Sequence, residues 1–157
     1  MSLQRAKEHL EKFGLADRII EFTVSSATVS LAAEALGTEE ARIAKSLSFL
    51  TPEGPILVIA AGDAKVNNKK YKEYFGAKAK MIPAEEVEHI IGHGVGGVCP
   101  FGINEGVRVY LDESLFRFDA VYPAAGTSAS AVRLSIEELE RASGSLARID
   151  VTTVSNE

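Results

Sequence analysis

The sequence predicts an α+β fold, a single domain over residues 1–157 in which a curved mixed or antiparallel sheet is surrounded by short helices. Three observations carry this expectation. A chain of 157 residues matches one domain with one core, since domains run to roughly 150 residues. A composition of 46% hydrophobic and 25% charged residues is that of a folded globular chain, not of a disordered or repetitive one. Candidate strands come in pairs, and the helices between them follow no regular βαβ spacing, which disfavours a doubly wound parallel sheet.

The elements follow in order. Leu3, Ala6, Leu10 and Phe13 recur near helical spacing among Arg5, Lys7, Glu8, Glu11 and Lys12, so residues 3–14 read as an amphipathic helix stopped at Gly14. A second helix runs from about Ser30 to Leu36, capped by Ser30 or Thr28 and ended by Gly37, and a third short one starts at Thr38 with Glu39 and Glu40 in its first turn. Lys45–Leu50 alternates, Pro52-Glu53-Gly54-Pro55 is turn chemistry, and Ile56–Ala61 is a continuous apolar run. Together they read as a hairpin whose second strand is buried. Asn67 or Asn68 caps a basic helix that ends at Phe75-Gly76, Ala79–Ile82 reads as a strand, and Pro83 starts a helix over Ala84–Ile91. Val107–Leu111, Ala120–Tyr122 and Val132–Leu134 read as strands, and Ser135 with Glu138 forms a capping box that opens the last helix. Beyond Val151 the chain is polar and reads as a frayed tail.

Charge and cysteine usage narrow the function classes. A net charge of -5 gives no general attraction to duplex DNA, which is held by clustered Lys and Arg that release phosphate counterions. Any nucleic-acid contact is therefore expected to be local. Cys99 is the single cysteine and has no partner within the chain for a disulfide, in keeping with the cytoplasm. No apolar segment with a small-residue cleavage site follows Met1, and no apolar run reaches about 18 residues, so neither export nor a membrane span is expected.

The most informative segment is Gly92–Gly102, with five glycines in eleven residues. Its backbone is free to turn consecutive N–H groups into one pocket, where they would bind a carbonyl oxygen or a phosphate, and Pro100 stiffens its exit. It lacks the Gly-Lys-Ser/Thr ending of a Walker loop and precedes a strand, unlike a dinucleotide fingerprint. The alternative is a tight connection that binds nothing. Lys45 stands among Ile43, Ala44 and Leu47, where an inward ammonium would bind an anionic or carbonyl group, although a solvated lysine is the commoner arrangement. Lys65, Lys69, Lys70, Lys72, Lys78 and Lys80 form a dense basic stretch that includes Tyr71 and Tyr74. It reads either as a phosphate-binding patch or as a solvated helix face. Cys99 with His93 suggests a thiol nucleophile, but no third orienting group accompanies them, and a lone Cys before Pro is more often a small buried residue. His89, His93 and Cys99 lack a metal-ligand spacing, so no metal or other cofactor is expected.

Several segments, taken together, resemble the YbaK/ProX group of free-standing aminoacyl-tRNA deacylases, relatives of the editing domain inserted in bacterial prolyl-tRNA synthetases. They are Ala32–Gly37 followed by Ile43-Ala44-Lys45-Ser46-Leu47-Ser48-Phe49, then Ala61-Gly62-Asp63, Gly96–Gly102, and Ala124-Ala125-Gly126-Thr127-Ser128 before a strand. The resemblance covers roughly residues 20–140. It implies trans-acting hydrolysis of the ester of a mischarged tRNA bearing a small amino acid of the Cys, Ala, Ser or Thr type, without a protein nucleophile or a metal. Lys45 matches the essential lysine of the group, and Gly96 to Pro100 matches the Gly-x-x-x-Pro loop, with Gly96 and Gly97 expected to polarise the ester carbonyl. Thr28, Asp63, His93, Val98, Cys99, Pro100, Phe101, Gly102, Gly126 and Ser128 are expected to border the aminoacyl end. Lys65, Lys69, Lys70 and Lys72 are expected to hold the tRNA. The implied partners are the tRNA acceptor end and an aminoacyl-tRNA synthetase. The chain departs from the group at Val24–Thr28, where a His or Tyr is frequent, and at Cys99, where Ser is frequent. A non-catalytic module of the same fold that binds a tRNA end, a nucleotide or a synthetase is the alternative, and retention of Lys45, Gly96 and Pro100 favours the enzyme.

Overall fold

The amphipathic pattern at the N-terminus becomes α1 (Ser2–Glu11), which buries Ala6 and Leu10 and leaves Lys7, Glu8 and Glu11 outward. The computed structural model describes residues 2–23 and 28–154. A short strand β1 (Ile19–Glu21) follows, then α2 (Val29–Leu36), where the Thr28 hydroxyl accepts the Leu31 N–H and Gly37 closes the helix in the left-handed region. A single 3-10 turn, Glu40–Arg42, stands where a third helix was expected. It leads into β2 (Ile43–Thr51) and β3 (Gly54–Ala61), the antiparallel hairpin. Then come β4 (Ala64–Val66), α3 (Asn68–Phe75) capped by Asn67, and α4 (Ala84–Ile91). The chain ends with β5 (Arg108–Asp112), β6 (Ala120–Pro123), β7 (Ser130–Val132), β8 (Leu134–Ser135), α5 (Ile136–Ser143), β9 (Ala147–Ile149) and β10 (Thr152–Val154).

The six-stranded sheet has the order β8-β6-β2-β3-β5-β9 and is mixed: β2–β3 and β6–β8 are antiparallel, whereas β2–β6, β3–β5 and β5–β9 are parallel. The unbroken apolar run of β3 follows from its central place. Leu57 and Ile59 face a large cluster with Ala6 and Leu10 of α1, Ile91 of α4 and Leu139 of α5, whereas Ile56 and Val58 face a smaller one with Phe49, Tyr71 and Tyr110. A strand covered on both faces cannot alternate with polar residues. Burying six such side chains, Ile56 to Ala61, at 0% exposure stabilises the chain by roughly 1.5–3 kcal/mol for each Val, Leu or Ile.

Three further sequence expectations change. Ala79–Ile82 is not a strand; it runs beside β2 and touches it through one bridge, Met81 to Phe49, flanked by Leu50 N–H to Lys80 O and Ile82 N–H to Ser48 O. Val132–Leu134 is not one strand, because β7 pairs with β1 and β8 pairs with β6, with Arg133 between them. The tail over Thr152–Val154 is not frayed: it pairs antiparallel with β4. Its polarity misleads because the Thr152 hydroxyl donates to Asp112 Oδ2 at 2.7 Å, and the Val151 N–H donates to Asp112 Oδ1 at 2.9 Å. Asp112 is wholly buried, and a buried carboxylate must collect donors of this kind.

Candidate active site

A cleft of about 340 Å³ opens between α2, α4, the glycine loop and the part of the sheet where β2 meets β6. Its walls are mostly small and aliphatic: Val29 and Ala32 from α2, Val87 from α4, Val95 and Val98 from the loop, and Ala124 and Ala131 beyond β6. Ala44, Lys45, Ser46 and Ser48 of β2 also line it.

Lys45 is half-buried, and its Nζ donates to the Gly62 carbonyl at 3.3 Å and to the Ala64 carbonyl. An ammonium has three protons, so one remains for a ligand. Burial lowers the Lys45 pKa from its ordinary value; the Asp63 carboxylate opposes that shift and Lys65 adds to it. Asp63 lies outside the lining. It is gripped by Arg117 through Nη2–Oδ1 at 2.7 Å and Nη1–Oδ2 at 3.1 Å, and this pairing holds its carboxyl below the usual range. Asp63 therefore acts on the cleft through its charge.

The loop divides into a cleft side and a buried side. Gly96, at φ 93°, lines the cleft together with Val95 and Val98. Among the described residues, the N–H groups of Gly96 and Val98 meet no acceptor. Gly97 differs from the expectation of an amide aimed at a ligand, since its N–H donates to the Gly94 carbonyl at 3.0 Å. A Cβ on Gly97 would stand 2.5 Å from the Gly126 oxygen and 2.6 Å from Thr127 Cα. Gly97 is glycine because the loop sits directly on the Gly126–Thr127 backbone.

On the buried side, His93, Cys99 and Phe101 are all at 0% exposure. His93 Nε2 lies 2.6 Å from the Phe101 carbonyl, which can only accept, so this nitrogen carries the proton. Burial lowers the His93 pKa. The Cys99 thiol donates to the same carbonyl at 3.7 Å, and burial pushes its pKa up to about 12. A thiol so placed is not a thiolate at neutral pH, and the nucleophile alternative is set aside. These residues anchor the loop.

Of the residues expected at the aminoacyl end, the structure brings Thr28, Lys45, Gly96 and Val98 together on the lining. Gly97, Asp63, His93, Cys99, Pro100, Phe101, Gly102, Gly126 and Ser128 lie off it. The departure at Val24–Ala27 falls outside the described residues. Arg5 was missed: its Nη1 donates to the Gly92 carbonyl at 3.1 Å and its Nη2 to Asn104 Oδ1 at 3.0 Å, clamping both ends of the loop. Its helical spacing marks a surface residue, and nothing local reveals partners so far along the chain.

Lys65, Lys69 and Lys72 are exposed. Lys70 is partly committed within the chain: its Nζ pairs with Asp150 at 3.0 Å and donates to the Thr152 carbonyl at 2.9 Å, which leaves one proton. Among the described residues no group of three or more His, Cys, Asp or Glu side chains could hold a metal ion, and no helix is long and apolar enough to cross a membrane.

Comparison with known proteins gives this cleft its context. The chain is 48% identical over 153 residues to YwhH, an uncharacterised protein of Bacillus subtilis (strain 168), covering 96% of this chain and 97% of that one. It is 35% identical over 99 residues to the proline–tRNA ligase of Limosilactobacillus fermentum, covering 59% of this chain and 17% of the ligase. The crystal structure of a proposed trans-editing enzyme for prolyl-tRNA synthetase superposes with a TM-score of 0.87 at 31% identity, covering 97% of each chain. Residues 23–142 match the aminoacyl-tRNA editing domain, a span that holds the hairpin, Lys45, the glycine loop and every residue on the cleft lining. The chain is a member of the aminoacyl-tRNA editing domain family.

Proposed function

We propose that the protein is a trans-acting deacylase that hydrolyses the ester of a mischarged tRNA carrying a small amino acid of the Cys, Ala, Ser or Thr type, without a metal. The observation that carries this reading is the meeting of Lys45 and Gly96 on one small, apolar cleft. A volume of about 340 Å³ is near the lower end for ligand sites, roughly 300–1,000 Å³, and suits a short acyl group with part of its ribose. The N–H groups of Gly96 and Val98, without an acceptor among the described residues, are the candidates to receive the ester carbonyl, and the third proton of Lys45 supplies a cation beside it.

The chemistry is then electrostatic. Water, or a hydroxyl or thiol of the substrate, adds to the carbonyl carbon; the oxyanion is stabilised by the loop amides and Lys45; the ester C–O bond breaks and the ribose oxygen takes the proton. With water as nucleophile, the products are the free amino acid and uncharged tRNA. Lys65, Lys69 and Lys72 would meet the acceptor-end phosphates, in the cytoplasm, with a synthetase as a further partner. The test is a panel of one tRNA charged in turn with Cys, Ala, Ser and Thr, with and without chelator. Chelator-insensitive release of at least one amino acid, lost in Lys45→Ala, is expected; no release from any ester would overturn the reading.

A further inference from the structure

Two serine hydroxyls on the cleft lining stand apart from the Thr28, Ser130 and Lys45 groups there. The Thr28 hydroxyl caps α2, the Ser130 hydroxyl is bonded to Thr127, and the Lys45 ammonium is held by two carbonyls. Ser46 and Ser48 have no such commitments. The Ser46 hydroxyl is buried without a hydrogen-bond partner. Ser48 is 7% exposed, and no partner for its hydroxyl is found among the described residues. The register pairs Ser46 with Ile59 and Ser48 with Leu57, so both serines share the face of β2 that looks toward the large apolar cluster. Residues i and i+2 of a strand project to the same side about 7 Å apart.

An unsatisfied hydroxyl in apolar surroundings is destabilising, and a valine or alanine would fill these places without that cost. We propose that Ser46 and Ser48 form a hydrogen-bonding floor that selects a hydroxyl-bearing acyl group, so that seryl esters are preferred over alanyl esters. The proposal rests on the deacylase reading and narrows its substrate class. An apolar pocket alone discriminates poorly between a small side chain and the same side chain carrying a hydroxyl. A floor with unpaired hydroxyls favours the side chain that satisfies them, because the alanyl ester leaves them unpaired. Ser46 and Ser48 line the same cleft as Lys45, Gly96 and Val98, where the ester carbonyl is proposed to sit.

Deacylation of one tRNA charged with serine or alanine is compared for the wild type, Ser46→Ala and Ser48→Ala. Binding of the amide-linked, non-hydrolysable 3′-seryl and 3′-alanyl aminoadenosines is measured by calorimetry on the same proteins. The wild type is expected to favour the seryl form about tenfold in both measurements. Ser48→Ala is expected to remove that preference by weakening the seryl form alone, with Ser46→Ala acting in the same direction. Equal loss on both forms, or a wild type that favours the alanyl form or neither, overturns the proposal. Absence of turnover with both esters while the seryl analogue still binds about tenfold tighter overturns the deacylase reading and supports the floor.

Discussion

Gly96 and Val98 line the cleft, whereas their neighbours His93, Cys99 and Phe101 are completely buried behind it. The two sides of this one loop have inverted chemical appearances. The buried side holds a thiol and an imidazole, the residue types most associated with catalysis, and both are spent on the Phe101 carbonyl. The cleft side has only a glycine and small aliphatic side chains, yet Gly96 and Val98 present there main-chain N–H groups that meet no acceptor among the described residues. Environment decides the role of a group, because burial raises the thiol pKa while an exposed backbone donor needs no activation.

The contrast is broken most easily at the cleft. Lys45→Ala is expected to lower kcat/KM for deacylation by about 10²–10³-fold, the usual effect of deleting one donor from an oxyanion site. Only about 1 kcal/mol of stability should go with it, since the lost bonds run to two carbonyls at a half-buried site. Kinetics and urea midpoints on the same preparation separate the two effects. A variant that is active but unstable would move Lys45 to the anchoring side. The lysine also predicts a pH limb. Its lowered pKa means that activity requiring the ammonium falls on the alkaline side at a lower pH than an ordinary lysine would give. Removing the opposing carboxylate in Asp63→Asn should shift that limb to lower pH still, measured after subtracting spontaneous ester hydrolysis.

The seam between the two sides comes next. Gly97→Ala places a methyl group 2.5 Å from the Gly126 oxygen, and overpacking of this kind costs about 1–3 kcal/mol. The loop must lift from Gly126–Thr127, so kcat is expected to fall together with the unfolding midpoint. Loss of kcat at an unchanged midpoint would show that the Gly97 amide itself acts on substrate, as its place in the sequence motif first implied.

On the buried side the effect on activity is small. Cys99→Ser should keep deacylation within severalfold, at a stability cost of about 1 kcal/mol for placing a hydroxyl among apolar neighbours. The native thiol should resist iodoacetamide. With a pKa of about 12, the thiolate fraction at pH 8 is about one part in 10⁴, and labelling should become complete only on unfolding. Rapid native labelling with loss of activity would restore the thiol to the site.

The pattern of what was legible follows the range of the interactions. The Thr28 cap, the Gly37 stop and the Ser135–Glu138 capping box involve residues three or four apart, and the structure contains all three. Lys45 and Gly96 were legible as a pair only through the ordered motifs, and the fold brings both to one cleft. The Asp112–Thr152 bond spans 40 positions and the Arg5–Asn104 bond spans 99. At such separations polarity alone reads as solvent exposure. Cys99 and Phe101 mark the same limit, since a motif fixes the position of a residue in the loop but not which side of the backbone its side chain takes.

The smallest expected effect tests whether the same inward and outward division holds on α3. Lys69 is exposed, whereas Lys70 ties the helix to Asp150 and the Thr152 carbonyl. Charge reversal at Lys69 should therefore raise KM a few-fold with little change in kcat, because a phosphate contact is equal in ground and transition states. It should also make the salt slope of tRNA binding shallower by about one counterion. Lys70→Glu should instead lower the unfolding midpoint, by about 1 kcal/mol for a partly exposed ion pair, since the reversed charge faces Asp150 and has no proton for the carbonyl. Titrating one mischarged tRNA at two salt concentrations, beside urea denaturation of both variants, distinguishes the two lysines. If Lys69→Glu leaves KM and the salt slope unchanged, the tRNA lies on another surface. If Lys70→Glu raises KM at an unchanged midpoint, the ion pair with Asp150 is broken on binding and Lys70 belongs with the outward set.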